Sequence, residues 1–286
     1  MDLTSFEQRA AEYGVLGLKV SQHDRLIAEY HTEPEERRSV YSAAKAFVAC
    51  AVGFAIQEGL LSLEEKLTEA FADDLPETVG KELAAATVKD LLTMRLGLPG
   101  GHLLAHQRPL YEEDNWVKMM LSLPFAHIPG EVFEYSNVPP YLAGVLVQKR
   151  VGCSLTEYLA PRLFLPLGIK NVLWETDRIG YNFGSSGLYL TLSELHRFGE
   201  FCLHRGRIGE KQLLNEAWFL ECIKPQGAEN YGYLFWLGKD GAYRADGKFG
   251  QITVALPQQD AVITVMAECR KAGLLKMLYE EIVPQL

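Results

Sequence analysis

The sequence has no dense block of lysine and arginine, no long apolar run and no paired-cysteine motif, and each absence removes a class of function. Its 28 Lys+Arg stand against 37 Asp+Glu, a net charge of −9. Binding to a phosphate backbone comes mainly from clustered basic side chains, so nucleic acid is not the expected partner. The longest apolar run, Ala46 to Ile56, is too short to cross a bilayer and ends at Gln57-Glu58, which fits a buried core helix and no membrane span. Residues 1–9, MDLTSFEQR, have neither the basic start nor the apolar stretch of a secretory signal, so a cytoplasmic location is expected. Five cysteines, Cys50, Cys153, Cys202, Cys222 and Cys269, are widely spaced and odd in number; reduced, packed thiols suit that pattern better than disulfides or zinc. G-x-S-x-G, H-E-x-x-H, G-x-x-x-x-G-K-[ST] and G-x-G-x-x-G are all missing, and with them the commonest hydrolase, zinc-protease and nucleotide signatures. His102 and His106 have one-turn spacing, yet two glycines precede them and no carboxylate is near. No metal and no other cofactor is expected.

What is present is a chain of 286 residues, 48% apolar, enough for one large domain. Val15 to Ser21 and Leu26 to Tyr30 read as a hairpin, and Gln251 to Leu256 and Ala261 to Ala267 as another β pair. Residues 4–13 and Leu274 to Ile282 read as helices, as does Ser193 to Arg205; Tyr231 to Leu237 is aromatic and strand-like. From Ser42 to Glu58 the first three turns are apolar on nearly every side, which predicts a helix buried between layers. Residues 60 to about 180 are mostly helical in pattern. The fold expected is α+β: one antiparallel sheet built from both chain ends, flanked by helices, with a mainly helical region inserted. That divides the chain into 1–59 and 185–286 for the sheet region and 60–184 for the inserted region, all in one compact unit.

Three short segments can carry chemistry. Ser42 and Lys45, in Ser42-Ala43-Ala44-Lys45, share a helix face, so the amine can reach the hydroxyl as base to nucleophile. By composition S-x-x-K arises about 0.5 times by chance in such a chain, and Ser42 could equally be a helix cap. A lysine inside an apolar helix is costly unless it is partnered or loses its charge, which favours the chemical reading. Tyr135-Ser136-Asn137 lies between Pro129-Gly130 and Pro139-Pro140. It is either an ordinary turn or a phenol, helped toward phenolate by Lys45, taking the Ser42 proton while Asn137 orients Lys45 and substrate. Asp246-Gly247-Lys248 precedes the first C-terminal strand. It is either a hairpin turn or a strand edge whose Lys248 N–H joins that of Ser42 in an oxyanion hole, with Gly247 allowing close approach.

These segments, in this order, resemble the serine β-lactamase and penicillin-binding-protein-like hydrolases, specifically the class C β-lactamase and esterase branch. Tyr41 to Phe47 with Gln57 to Leu63, Thr87 to Thr93, Ser186 to Thr191 leading into Glu194 to Gly199, and Tyr231-Gly232-Tyr233 with Trp236 match as well. The resemblance implies that Ser42 attacks a carbonyl, that Lys45 and Tyr135 share the proton work, and that water hydrolyses an acyl-enzyme. The third motif departs from the K-T-G or H-x-G of relatives: here it is Ala245-Asp246-Gly247, so the cation is gone unless Arg244 or Lys248 replaces it. That A-x-G-x-x-G-Q form resembles 6-aminohexanoate-dimer hydrolase and related esterases. The expected function is hydrolysis of small carboxylic esters or amides. A β-lactamase or D-amino-acid peptidase, and a non-catalytic binding module, are the alternatives. Aromatic residues near Tyr181 to Phe183 and Tyr231 to Trp236 are either pocket walls or core.

Overall fold

The computed structural model describes residues 1–286. Along the chain lie a first hairpin, β1 (Val15–Gln22) and β2 (Arg25–His31), then the short strands β3 (Arg38–Ser39), β4 (Leu173–Trp174) and β5 (Leu188–Leu190). A small hairpin follows, β6 (Arg207–Ile208) and β7 (Lys211–Gln212), and then β8 (Trp236–Leu237), β9 (Tyr243–Gly247), β10 (Gln251–Leu256) and β11 (Ala261–Ala267). The main sheet has the order β2-β1-β11-β10-β9-β8, so strands from the two ends of the chain meet at the antiparallel β1–β11 pair. This is the expected α+β architecture. His23 and Asp24 turn the first hairpin with φ of 51° and 59°, the left-handed pair whose twist matches that of the flanking strands.

Every residue of β10 and β11 is buried. An antiparallel strand usually alternates, but here both faces are covered, which is why these runs are apolar throughout. One face carries the terminal helices Thr4–Ala10 and Leu274–Glu281. The other packs on the helix Leu192–Leu203, which starts with a reciprocal cap between Thr191 and Glu194.

The helix Ala44–Gln57 has twelve buried residues, Lys45 among them. It packs on the helix Val138–Val151, whose start at Val138-Pro139-Pro140 costs little because the first helical N–H groups have no partner in the helix. A Cβ on Gly184 would come within 2.6 Å of the Pro140 carbonyl oxygen. Glycine therefore lets the segment before β5 run directly against this helix, within reach of Lys45.

Two expectations are corrected. Only Trp236–Leu237 of the aromatic stretch is a strand, because Leu234 sits at φ +60° and breaks the extended run; Tyr231 meets Trp236 in an isolated bridge. Asp246-Gly247 is the end of β9, and the turn falls one residue later, at 248–250.

Candidate active site

Ser42 lies in a single 3-10 turn, Tyr41–Ala43, immediately before the helix Ala44–Gln57. Neither helical start carries a side-chain cap there, so the capping reading of Ser42 fails. Lys45 Nζ lies 2.9 Å from Ser42 Oγ, 3.1 Å from Asn137 Oδ1 and 2.9 Å from the Ser185 carbonyl oxygen. The amine is 1% exposed whereas Ser42 is half-buried, so the nucleophile can be approached and its neighbour cannot.

Burial disfavours the ammonium and brings Lys45 down to about 7. A neutral amine has two N–H donors and one lone pair. Asn137 Oδ1 and the Ser185 carbonyl can only accept, so they take the two donors and leave the lone pair directed at the Ser42 hydroxyl. The Asn137 amide is itself fixed, since its Nδ2 donates to the Leu103 carbonyl at 3.2 Å. Ser185 is held in turn by a hydrogen bond from its Oγ to the Asn137 carbonyl. The sequence reading missed Ser185, because a main-chain carbonyl has no side-chain signature; the small-residue run Gly184 to Gly187 is the trace it leaves.

Tyr135 stands on the other side of the amine, with Lys45 Nζ 5.2 Å from its ring centre. Desolvation pushes the Tyr135 phenol up to about 12, with the charge of Asp246 adding to this and the Ser42 and Trp236 side chains opposing it. The phenolate expected from the sequence is therefore the disfavoured form: burial is the dominant effect on the phenol, and Lys45 is itself losing its charge. Trp236 was read as an aromatic match and possible wall; it lies 5.1 Å from the Tyr135 ring, centre to centre, and fixes its face. Tyr231 and Phe183 are fully buried and belong to the core.

The end of β9 closes the site. A Cβ on Gly247 would come within 2.1 Å of the Val40 carbonyl oxygen, so only glycine lets this strand approach the turn that bears Ser42. Lys248 follows, and its N–H has no backbone or side-chain acceptor within the chain. Tyr41 and Phe249, one residue before Ser42 and one after Lys248, have φ of 47° and 67° and meet edge to face at 5.2 Å. Two side chains that rarely adopt this backbone region thus brace the two turns against each other.

Arg244 Nε donates to Asp246 at 3.0 Å, and the exposed Lys248 holds Nζ 4.7 Å over the Phe249 ring. His102 and His106 fall on an irregular loop, so their helical spacing is not realised. Glu29, His31 and Glu35 lie close enough together to share a cation, but Glu29 is already paired with Lys19 at 2.6 Å and the group is on β2 and the segment after it, apart from Ser42. No helix is long and apolar enough to cross a membrane.

Residues 5–277 match the Beta-lactamase family. The 6-aminohexanoate-dimer hydrolase of Paenarthrobacter ureafaciens is 22% identical over 76% of this chain and 59% of its own length. Protein flp of Staphylococcus aureus strain MW2 is 26% identical over 54% of this chain and 32% of its own. The chain thus spans between a third and three fifths of the length of these curated relatives. Among solved structures, the octameric penicillin-binding protein homologue from Pyrococcus abyssi superposes with TM-score 0.77 at 19% identity, over 100% of this chain and 78% of the other. EstCE1, described as a hydrolase with promiscuous acyltransferase activity, gives 0.76 at 14% identity over 98% and 95%; both likenesses show the fold. With the match running through all three motif segments, the chain belongs to the Beta-lactamase family.

Proposed function

We propose that this protein hydrolyses small carboxylic esters or amides through an acyl-Ser42 intermediate, with no cofactor. Ser42 Oγ attacks the carbonyl carbon while neutral Lys45 takes the hydroxyl proton. The oxyanion is held by the N–H groups of Ser42 and Lys248, each such donor being worth roughly 2.7–4 kcal/mol in a transition state. As the tetrahedral species collapses, the proton passes from Lys45 through the Tyr135 hydroxyl to the departing alcohol or amine. Tyr135 serves here as a neutral relay. Water then adds to the acyl carbonyl as Lys45 takes its proton, and the C–O bond to Ser42 breaks as Lys45 passes that proton to Ser42 Oγ, releasing the acid and restoring the neutral amine. Asn137 keeps Lys45 in place and offers its remaining amide surface to substrate.

The observation that carries this reading is the Lys45 environment: a buried amine 2.9 Å from Ser42 Oγ with two other fixed acceptors, the Asn137 Oδ1 and the Ser185 carbonyl. A cytoplasmic site of action belongs to the same proposal and is supported by five unpaired cysteines, four of them buried. The test pairs a short-chain nitrophenyl ester with a chromogenic cephalosporin, each on wild type and Ser42→Ala. Ester turnover that disappears in the variant is expected. Rapid cephalosporin turnover would shift the substrate class to β-lactams, and no turnover of either compound would sink the enzymatic reading.

A further inference from the structure

Beside the candidate active site lies a second cavity, of about 390 Å³, within the size range of small-molecule sites. It forms where the paired strands β3 and β5 face the start of β10 and the end of β11. Arg37 and Arg38 stand on one side, the buried Gln251 makes the floor, and the exposed Glu268 and Arg270 form the rim. Tyr41 and Phe249 complete the wall, so the cavity touches the neighbours of Ser42 and Lys248 but neither of those residues.

The wall is rich in donors that nothing within the chain takes up. A guanidinium has five N–H groups; Arg38 gives one to Glu33 and one, at 3.0 Å, to Glu268, and the rest are unused. Arg37 is held by Glu194 and by the main-chain carbonyls of Lys170 and Asn171, so it is a fixed positive wall. Arg270 has neither an ion-pair nor a hydrogen-bond partner. Glu194 and Glu33, outside the cavity, offset Arg37 and Arg38 in part, but no carboxylate offsets Arg270. Glu268, the one carboxylate in the lining, is bound only to Arg38. On the floor, Gln251 Nε2 donates to the Ala267 carbonyl, which fixes the amide and leaves Oε1 buried without a donor. The remaining wall is aromatic: Tyr41 and Phe249 meet edge to face, and the Tyr189 hydroxyl is taken by Glu175 at 2.9 Å, so Tyr189 offers its ring.

We infer that this cavity is a second binding site, separate from the acyl site, for a monocarboxylate with an apolar body. The carboxylate lies between Arg270 and the unused N–H groups of Arg38, and the body rests on Tyr41, Tyr189 and Phe249. A planar carboxylate matches the guanidinium fork. Glu268 keeps a negative charge at the rim, which opposes a second charge on the ligand and so favours a carboxylate over phosphate. The inference does not depend on Ser42 chemistry.

The test is calorimetric titration of the Ser42→Ala protein with 4-phenylbutyrate, its neutral isostere 4-phenylbutyramide, and inorganic phosphate. One-to-one binding of the carboxylate is expected, roughly tenfold tighter than the amide, and weaker in about 0.5 M salt. Arg270→Gln, added to that protein, should weaken the carboxylate by roughly fivefold or more, whereas Glu268→Gln, which frees Arg38, should tighten it. Both side chains are exposed, and thermal unfolding checks that each variant is folded. Opposite responses to the two substitutions assign the ligand to this cavity and not to the cleft at Ser42. No saturable binding of the carboxylate, an amide or phosphate bound as tightly, or an affinity indifferent to both substitutions overturns the inference. Because the titrated protein lacks the Ser42 hydroxyl, none of these results bears on the hydrolase reading, which the ester assay tests by itself.

Discussion

Replacing Lys45 with methionine should flatten part of the pH dependence of stability. Burial lowers the Lys45 ammonium from an ordinary 10.5 to about 7. Below about pH 7 both folded and unfolded chains carry the proton, and the cost of burying it is fully present. Between 7 and 10.5 only the unfolded chain holds it, so wild-type stability rises with pH through that window. At about 1.36 kcal/mol per unit the whole effect is about 5 kcal/mol, of which about 2.5 kcal/mol falls between pH 6 and pH 9. Methionine has a similar length and no titrating group. It also leaves Asn137 Oδ1 and the Ser185 carbonyl without their donor, costing about 1–3 kcal/mol each, but this offset does not vary with pH. The assay is urea unfolding of both proteins at pH 6, 7, 8 and 9. Wild-type stability minus variant stability should climb by about 2.5 kcal/mol across the series. A difference flat to within about 0.5 kcal/mol would mean that folding does not displace the amine's proton equilibrium, and the neutral base would be lost with it.

Asn137→Asp places a carboxylate 3.1 Å from the amine and restores the ammonium. Ester kcat/KM at pH 7 should fall roughly tenfold or more, with the acid limb of the pH–rate profile moving up by about one unit; an unmoved limb would separate Asn137 from Lys45. Gly247→Ala forces a methyl against the Val40 carbonyl, so turnover should fall by roughly a hundredfold as the oxyanion donors separate, and full ester activity in a folded variant would place the oxyanion donors elsewhere. Tyr135→Phe removes the relay and should lower kcat by roughly 10²–10⁴; an unchanged kcat would remove the phenol from the proton path.

Much of the fold could be read from patterns that depend on local chemistry. The apolar runs of β10 and β11, the His23-Asp24 turn and the buried helix after Ser42 each follow from side chains in sequence neighbourhood. Ser42, Lys45, Tyr135 and Asn137 are brought together as the motifs suggest. What could not be read depends on main-chain placement or on burial. Leu234 adopts a left-handed turn that no apolar alternation signals. The Ser185 carbonyl reaches Lys45 only because Gly184 packs on Pro140. Tyr135 is pushed up rather than down because desolvation, a property of the folded surroundings, is the largest effect on it. The third motif was legible as a departure, but not the pairing of its Asp246 with Arg244, two residues apart on one strand.

Whether the buried amine makes Ser42 nucleophilic is read most directly by reaction with a fluorophosphonate, followed by intact-mass measurement and peptide mapping across a range of pH. One adduct on Ser42 is expected, forming faster as pH rises with a midpoint near 7, where Lys45 loses its proton, and abolished in Lys45→Met. Labelling at another residue, no labelling, or a rate at Ser42 indifferent to pH and to Lys45 would contradict it.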